Sequence, residues 1–403
     1  MSASENAYDI LESYVSCERK SDSKTVASYV HSLRDCFEPF VHKHITVSNS
    51  AGGGLGVFAS QNMEEGTLVL IEKPVAFVPD CSQASPQLSH IDGSDSFILI
   101  QYVLDHYDAK VEDCLRSLYP IRENSRKNTD LTGVPPELLQ GLKALLPVDI
   151  APESVVRAVQ LNSLGCYTFP ELVSYSEHLR FLSGTALYKT ASMFNHSCEP
   201  NVNHYSLGDV TFFRLLRDVE EGDELYISYI GSDLLCESKS IRDEFLSSRD
   251  FSCACSKCSR PETMDDEWLE EFELQDRVSI NLHKAGNERV AYIRKLLHEH
   301  DYITRDRLEI TFMLCRQIGS AAISDWKALL EATRDTVDLS TVIICAHYLV
   351  RVGEDESVAE RMLRVARICL GDELGSKKSI GRILSITDFA SDPNFLDKWN
   401  RLP

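Results

Sequence analysis

The chain has 403 residues, more than one ordinary domain needs and enough for two or three. Hydrophobic residues make up 43% and charged residues 26%, a balance that excludes a collagen-like or largely disordered chain. The formal net charge of −21 argues against nucleic-acid binding through the overall field, and is compatible with either a basic protein partner or simple solubility.

Residues 1 to about 40 are polar and helical in pattern, with Ile10, Tyr14 and Cys17 and then Val26, Tyr29, Val30 and Leu33 at helical spacing. Pro39 closes this extension. From Ile45 and Val47 the pattern turns to short strands. A glycine turn follows (Gly52-Gly53-Gly54-Leu55-Gly56, then Val57-Phe58), and a further strand over Leu68 to Ile71 lies between Gly66 and Pro74. Residues 81–160 are helical. Pro135-Pro136 precedes a leucine stripe (Leu138, Leu139, Leu142, Leu145, Leu146), and Pro152 stands where a helix can start before Val155, Val156 and Val159. Glu123 to Gly133 is polar and expected as a surface loop. Strand patterns return over Thr211 to Leu215 and Leu225 to Ile230. After Arg260 five or six helices are predicted, with Val290, Ile293 and Leu297, then Trp326, Leu329 and Leu330, then Val358, Met362 and Val365 on their apolar faces. Their spacing suggests stacked hairpins without a known repeat signature. The longest apolar run, Phe97 to Leu104, is eight residues interrupted by Gln101, so no membrane span is expected. Glu5, Asp9, Glu12 and Glu18 make a signal peptide unexpected.

The chain has 13 cysteines. An odd number without a signal peptide fits a reducing compartment. Most are scattered, but Cys253, Cys255 and Cys258 form a C-x-C-x-x-C run. Three thiolates within six residues suit a tetrahedral zinc ion, which takes four ligands, and the residues alone do not choose the fourth. Two polar segments accompany the run, Asn195-His196-Ser197-Cys198-Glu199-Pro200-Asn201 and Gly222-Asp223-Glu224-Leu225-Tyr226-Ile227-Ser228-Tyr229. Taken alone, His196 fits a metal ligand, a base or a hydrogen-bonded core histidine. The glycine turn is not a phosphate loop, because no Lys-Ser or Lys-Thr follows it.

In this order, the GxGxG turn (Gly52, Gly54, Gly56), the N-H-S-C-x-P-N segment, the G-D-E-L-x-x-x-Y strand and the cysteine run resemble the SET-domain protein lysine methyltransferases. The arrangement looks most like the branch that combines SET and MYND modules, in which a helical insert splits the SET domain and a helical domain follows. Val155 to Asn162 and Gly184 to Tyr188 fit that branch. Between Cys81 and Cys166 there is only Cys114, so the MYND zinc module is absent and partner binding through it is not carried over.

The resemblance implies an α+β fold: a SET-type β-fold of short strands with a helical insert and a post-SET zinc site, then an all-α C-terminal domain. The expected division is an N-terminal helical extension (1–41), SET first part (42–80), helical insert (81–160), SET second part (161–235), post-SET segment (236–260) and C-terminal helical domain (261–403). S-adenosylmethionine would meet Gly54, Leu55 and Gly56 through backbone. Asn195 and His196 would bind its methionine and adenine parts, Asn162 would contribute from the insert, and Phe251 would act as an aromatic lid. The family's N-H-S-C cysteine completes the zinc site, so Cys198 would join Cys253, Cys255 and Cys258 around a structural Zn2+. Tyr229 is the implied catalytic residue and also lies against the cofactor. Two positions depart from the pattern. Ile227 stands where many relatives carry Phe or Tyr, which leaves the number of methyls open. Arg249 stands where the branch tends to carry a second tyrosine, the nearest upstream aromatic being Phe245.

The expected function is S-adenosylmethionine-dependent methylation of a lysine on a histone or a basic non-histone protein, by a monomer acting in cytoplasm, nucleus (on chromatin) or both. Neither direct nucleic-acid nor membrane binding is expected. The rivals are a catalytically weak or inactive SET-fold adaptor that binds partners through its C-terminal helices, and a purely structural zinc protein. Arg249 and Ile227 favour the adaptor. Asn195, His196 and Tyr229 favour the enzyme.

Overall fold

The computed structural model describes residues 3–18, 22–79, 94–122, 134–168, 181–231, 234–236, 239–247, 251–259, 337–352, 355–386 and 395–401, with single residues 131, 179, 249 and 330. The expected loop at 123–130 and the expected helices around Val290 and Trp326 lie outside the described residues. Two compact units emerge: a sheet unit of residues 1–195, 201–227 and 378–391, and a cysteine unit of residues 196–200, 228–377 and 392–403. The chain thus changes unit inside the Asn195–Asn201 motif. Among the described residues no helix is long and apolar enough to cross a membrane.

The sheet unit opens with α1 (Ala3–Val15) and α2 (Ser23–Asp35). Asp22 caps α2 by accepting the Thr25 backbone N–H at 2.9 Å. One face of α2 buries Val26, Val30 and Leu33, each contributing roughly 1.5–3 kcal/mol relative to exposure. Short strands follow: β1 (Phe40–Val41), β2 (Ile45–Asn49), β3 (Leu55–Ala59), β4 (Leu68–Glu72) and β5 (Ala76–Pro79). The insert supplies α3 (Ser94–Asp105), α4 (Ala109–Ser117), α5 (Pro136–Leu145) and α6 (Pro152–Asn162). Both α5 and α6 start at proline, whose fixed φ suits the first helical turn and whose missing N–H costs nothing there. Their apolar faces close one core through Leu138, Leu142, Val155, Val156 and Val159, packed with Leu99, Ile100 and Val103 of α3.

Then come β6 (Leu164–Cys166), β7 (Gly184–Leu187), β8 (Asn195–His196), β9 (Val202–Leu207), β10 (Val210–Leu215) and β11 (Glu224–Ile227). The strands form three small sheets. One has the order β1-β4-β10-β9, a second runs β2-β3-β11 with Asn195 opening β8 at its end, and the third is β5-β7-β6. The strand ladders described are antiparallel, with Val47 opposite Val57 and Leu225 opposite Val57, and one isolated bridge, Thr168 to Ser206, is parallel. The architecture is α+β, short strands in three small sheets with helices between β5 and β6.

One strand is shorter than its sequence pattern. The apolar run Leu225–Ile230 continues past Ile227, but β11 ends there. The Ser228 hydroxyl donates to the Ile230 carbonyl at 2.7 Å, and the Tyr229 N–H goes to a histidine ring rather than to a ladder. Local side-chain partners have replaced strand pairing.

The cysteine unit contains α7 (Lys239–Ser247), the short α8 (Ser256–Ser259), α9 (Leu339–Val352), α10 (Glu356–Leu370) and α12 (Phe395–Arg401). The helix α11 (Lys377–Ser385) precedes α12 and belongs, from Lys378 onward, to the sheet unit. All described residues beyond 330 that adopt regular structure are helical. The faces of α9 and α10 bury Ile343, Ala346 and Leu349 and Met362, Val365 and Cys369, the spacing of amphipathic helices.

Candidate active site

In the sheet unit the glycine turn is a reversal between β2 and β3. Ser50 N–H donates to Gly54 O and Gly53 N–H to Ser50 O, both at 3.0 Å. Gly53 and Gly54 have φ of 99° and 71°, the left-handed region that favours glycine. Gly56 is required for a different reason. A Cβ there would sit 2.1 Å from Glu224 Oε1, so only glycine lets that carboxylate lie against β3. Glu224 is 9% exposed and well satisfied. It accepts from Ser50 Oγ at 2.9 Å, from Tyr226 OH at 2.7 Å and from Asn195 Nδ2 at 2.7 Å. Asn195 Nδ2 also donates to Leu55 O at 2.9 Å. Leu55, Asn195 and Glu224 are therefore one hydrogen-bonded cluster, with Gly56 leaving room for the Glu224 carboxylate.

Two further side chains hold this cluster in place. Asn201 donates to Glu224 O at 2.9 Å and accepts from Tyr226 N at 2.7 Å, pinning β11. The Glu72 carboxylate accepts backbone N–H groups of Lys189, Thr190 and Ala191 at 2.7–3.1 Å, anchoring the turn that leads into Asn195. Burial raises the Glu72 pKa, against the pull of those N–H donors. Asn162, at the end of α6, gives its amide protons to Tyr119 O (2.7 Å) and Ala158 O (2.8 Å), while its backbone carbonyl accepts from Ser192 Oγ at 2.8 Å. These bonds lead to the insert and to the turn before Asn195, not to the glycine turn.

In the cysteine unit His196 is buried. Its Nδ1 accepts the Tyr229 backbone N–H at 2.9 Å, and its Nε2 lies 3.3 Å from Cys198 Sγ. A ring nitrogen that accepts from a peptide N–H carries no proton, so the proton of the neutral ring sits on Nε2 and points at the Cys198 sulfur. Burial pushes the His196 pKa down to about 4, in keeping with a neutral ring. Tyr229 and Phe251 pack edge to face with ring centroids 6.1 Å apart, and His196 lies 5.4 and 6.0 Å from them. The Arg249 guanidinium sits 4.9 Å over the Tyr229 ring, and burial lowers its pKa.

Beside this aromatic group the Sγ atoms of Cys198, Cys253, Cys255 and Cys258 all lie within 4.8 Å of one another. Two of the separations are 3.9 Å (Cys198–Cys253) and 3.5 Å (Cys258–Cys198). Zinc–sulfur bonds of about 2.3 Å at the corners of a tetrahedron set the sulfurs about 3.8 Å apart, so the four cysteines fit a zinc ion, and a full set of thiolates leaves no open position for catalysis. Thiols this close need a divalent cation to ionise together.

The structure thus gathers the candidate residues into two groups, Gly54, Leu55, Gly56 and Asn195 in one unit, and His196, Tyr229, Phe251 and the four cysteines in the other. Asn195 and His196 are consecutive in the chain. Sequence reasoning missed the roles of Glu224 and Glu72. Glu224 stood in a motif read as a turn and strand. A buried acid facing an obligatory glycine was its only signal, and that pairing is invisible without the β3–β11 register.

The family model for the SET domain matches residues 54–230, a span that holds Gly54, Asn195, His196 and Tyr229. N-lysine methyltransferase SMYD2-A of Xenopus laevis is 25% identical over 232 residues, covering 52% of this chain and 52% of that protein. A SET and MYND domain-containing protein of Dictyostelium discoideum is 40% identical over 83 residues, 20% of this chain and 16% of its own. Human histone-lysine N-methyltransferase SMYD3 is 37% identical over 75 residues, 19% of this chain and 17% of its own. The chain spans about half the length of the Xenopus relative and less of the other two. The solved SET domain of LSMT bound to lysine and AdoHcy covers 94% of this chain and 93% of its own at 13% identity, with a TM-score of 0.32, too slight a likeness to carry an argument.

Proposed function

From a chain that carries a SET domain similar to those of the SET-and-MYND lysine methyltransferases, we propose an S-adenosylmethionine-dependent protein-lysine N-methyltransferase. The observation that carries the proposal is the SET match over residues 54–230, within which the end-of-strand Tyr229 is clamped by His196 Nδ1. S-adenosylmethionine would supply a methyl group on a sulfonium, open to in-line attack by a neutral amine. Leu55, Gly56 and Asn195 would hold it at the turn that Glu224 stiffens. His196, neutral and buried, would offer a ring face, and Phe251 would exclude water.

The substrate lysine must lose its proton before attack. With a free pKa of about 10.4, that costs on the order of 4–5 kcal/mol at pH 7. An apolar aromatic channel and neighbouring positive charge both lower this cost, so no dedicated acid–base pair is needed. The Tyr229 hydroxyl would orient the amine lone pair, a positioning effect. The negative charge of the chain favours a basic substrate, a histone or a basic non-histone protein, met in cytoplasm or nucleus. The zinc site would brace the segment that carries Phe251.

One observation favours a second reading. The Arg249 guanidinium covers the Tyr229 ring, where a substrate ammonium would meet like charge. In that reading the chain is a weakly active or inactive adaptor that binds proteins through its C-terminal helices.

Transfer of labelled methyl from S-adenosylmethionine into a cell extract tests both. A labelled protein band that drops about 100-fold with Tyr229→Phe, the scale of losing one preorganised hydroxyl, supports the enzyme. Cofactor binding by calorimetry with no label transferred by either protein supports the adaptor, and no cofactor binding overturns both.

A further inference from the structure

The mechanism does not use the buried charge of Arg242. Arg242 on α7 is the largest side chain among the fully buried described residues, at 2% exposure. Its Nη2 lies 3.5 Å from Cys258 Sγ. A buried guanidinium without a negative partner is strongly unfavourable, because low-dielectric surroundings cannot replace its hydration. Among the described residues, the cysteine cluster offers such negative charge at hydrogen-bond distance.

The zinc site has the complementary difficulty. Four thiolates around one divalent cation leave two excess negative charges inside the fold. The neutral His196 ring donates Nε2–H toward Cys198 but carries no charge. Lys257, next to the ligand Cys258, gives its ammonium to Leu235 O at 2.7 Å.

We propose that Arg242 is the counter-charge of the four-cysteine zinc site, donating an N–H···S hydrogen bond to Cys258 and cancelling one of its two excess negative charges. Arg242 is thus a positioning residue for the metal, and through it for the Phe251–Cys258 segment. The proposal rests on these cysteines holding zinc. Partners that orient and polarise metal ligands typically change metal affinity 10–100-fold when removed.

The test uses full-length wild type, Arg242→Met and Arg242→Lys. Zinc affinity is read by competition with a chromophoric chelator, and the ligand set by the visible spectrum after cobalt substitution. Arg242→Met is expected to bind zinc 10–100-fold more weakly, with Arg242→Lys in between because it keeps the charge and loses the planar fork. By reciprocity of coupling, Arg242→Met should lower the melting temperature of the zinc-loaded protein by more than that of the chelator-stripped protein. Equal zinc affinity in all three proteins, or the same melting loss with and without zinc, would make Arg242 a packing residue and overturn the proposal. If Arg242→Met does not fold, Arg242→Lys decides: affinity equal to wild type is the overturning result. Wild type that takes up neither zinc nor tetrathiolate cobalt overturns the metal site itself, an outcome distinct from equal affinities. The proposed methyl transfer is read separately, by the label-transfer assay, and stands or falls independently of the zinc affinities.

Discussion

At the scale of single residues, the glycine turn depends on two different physical demands. Gly53 and Gly54 are needed for their left-handed backbone, and Gly56 for the room that Glu224 takes. Gly56→Ala forces the Glu224 carboxylate away and strips the acceptor from Ser50, Tyr226 and Asn195 at once. Overpacking at such a contact costs about 1–3 kcal/mol. The expected result is a lower melting temperature together with weaker S-adenosylmethionine binding by calorimetry. A variant that melts and binds like wild type would show that the Glu224 cluster does not shape the site.

Among the elements, the β9–β10 hairpin ties the fold's stability to pH. His204 on β9 stacks on Phe213 of β10 with ring centroids 5.6 Å apart, and burial lowers its pKa to about 4. Its folded pKa lies below the unfolded value of about 6.5, so the unfolded chain takes up the proton first. The contribution is whole above about pH 6.5 and is lost as pH falls toward 4, on the order of 3 kcal/mol. Denaturant midpoints between pH 7 and 4 should therefore fall less steeply in His204→Phe than in wild type, and parallel slopes would show that His204 is not the group responsible. The same hairpin receives α2. Gly208, with φ of 60°, makes its turn under Leu33. Asp209 pairs with Arg34, and that cation opposes the rise that burial imposes on the Asp209 pKa.

Across the whole molecule, the sheet unit is assembled from distant parts of the chain. Arg382 of α11 reaches Asp9 at 2.6 Å and Glu12 at 2.7 Å and covers the Tyr8 ring at 5.3 Å. Lys378 adds a bridge to Glu5 at 2.9 Å. Exposed pairs contribute little singly, but Arg382 is only 20% exposed and joins two carboxylates and a ring. Arg382→Ala should cost about 1–2 kcal/mol and speed proteolysis within the first 35 residues. Unchanged cleavage kinetics would mean that the apolar face of α1 alone holds the extension.

Much of the architecture is legible in the sequence. Periodicity locates α2, α5 and α6, proline marks the starts of α5 and α6, the cysteine run points to three metal ligands, and only the family resemblance adds Cys198 and Tyr229. Strands of two to four residues, such as β1, β5 and β6, are illegible because so short a run has no period to detect. What residue type and local spacing encode (helix faces, turn glycines, three thiolates in a row) belongs to the sequence itself. Only tertiary structure decides that Glu224 sits against Gly56, that the Tyr229 N–H ends on His196, and that a buried arginine on α7 lies against Cys258. Each of these contacts joins residues well separated along the chain. Strand register or a buried charge seeking a partner brings them together, and neither leaves a mark on the local sequence.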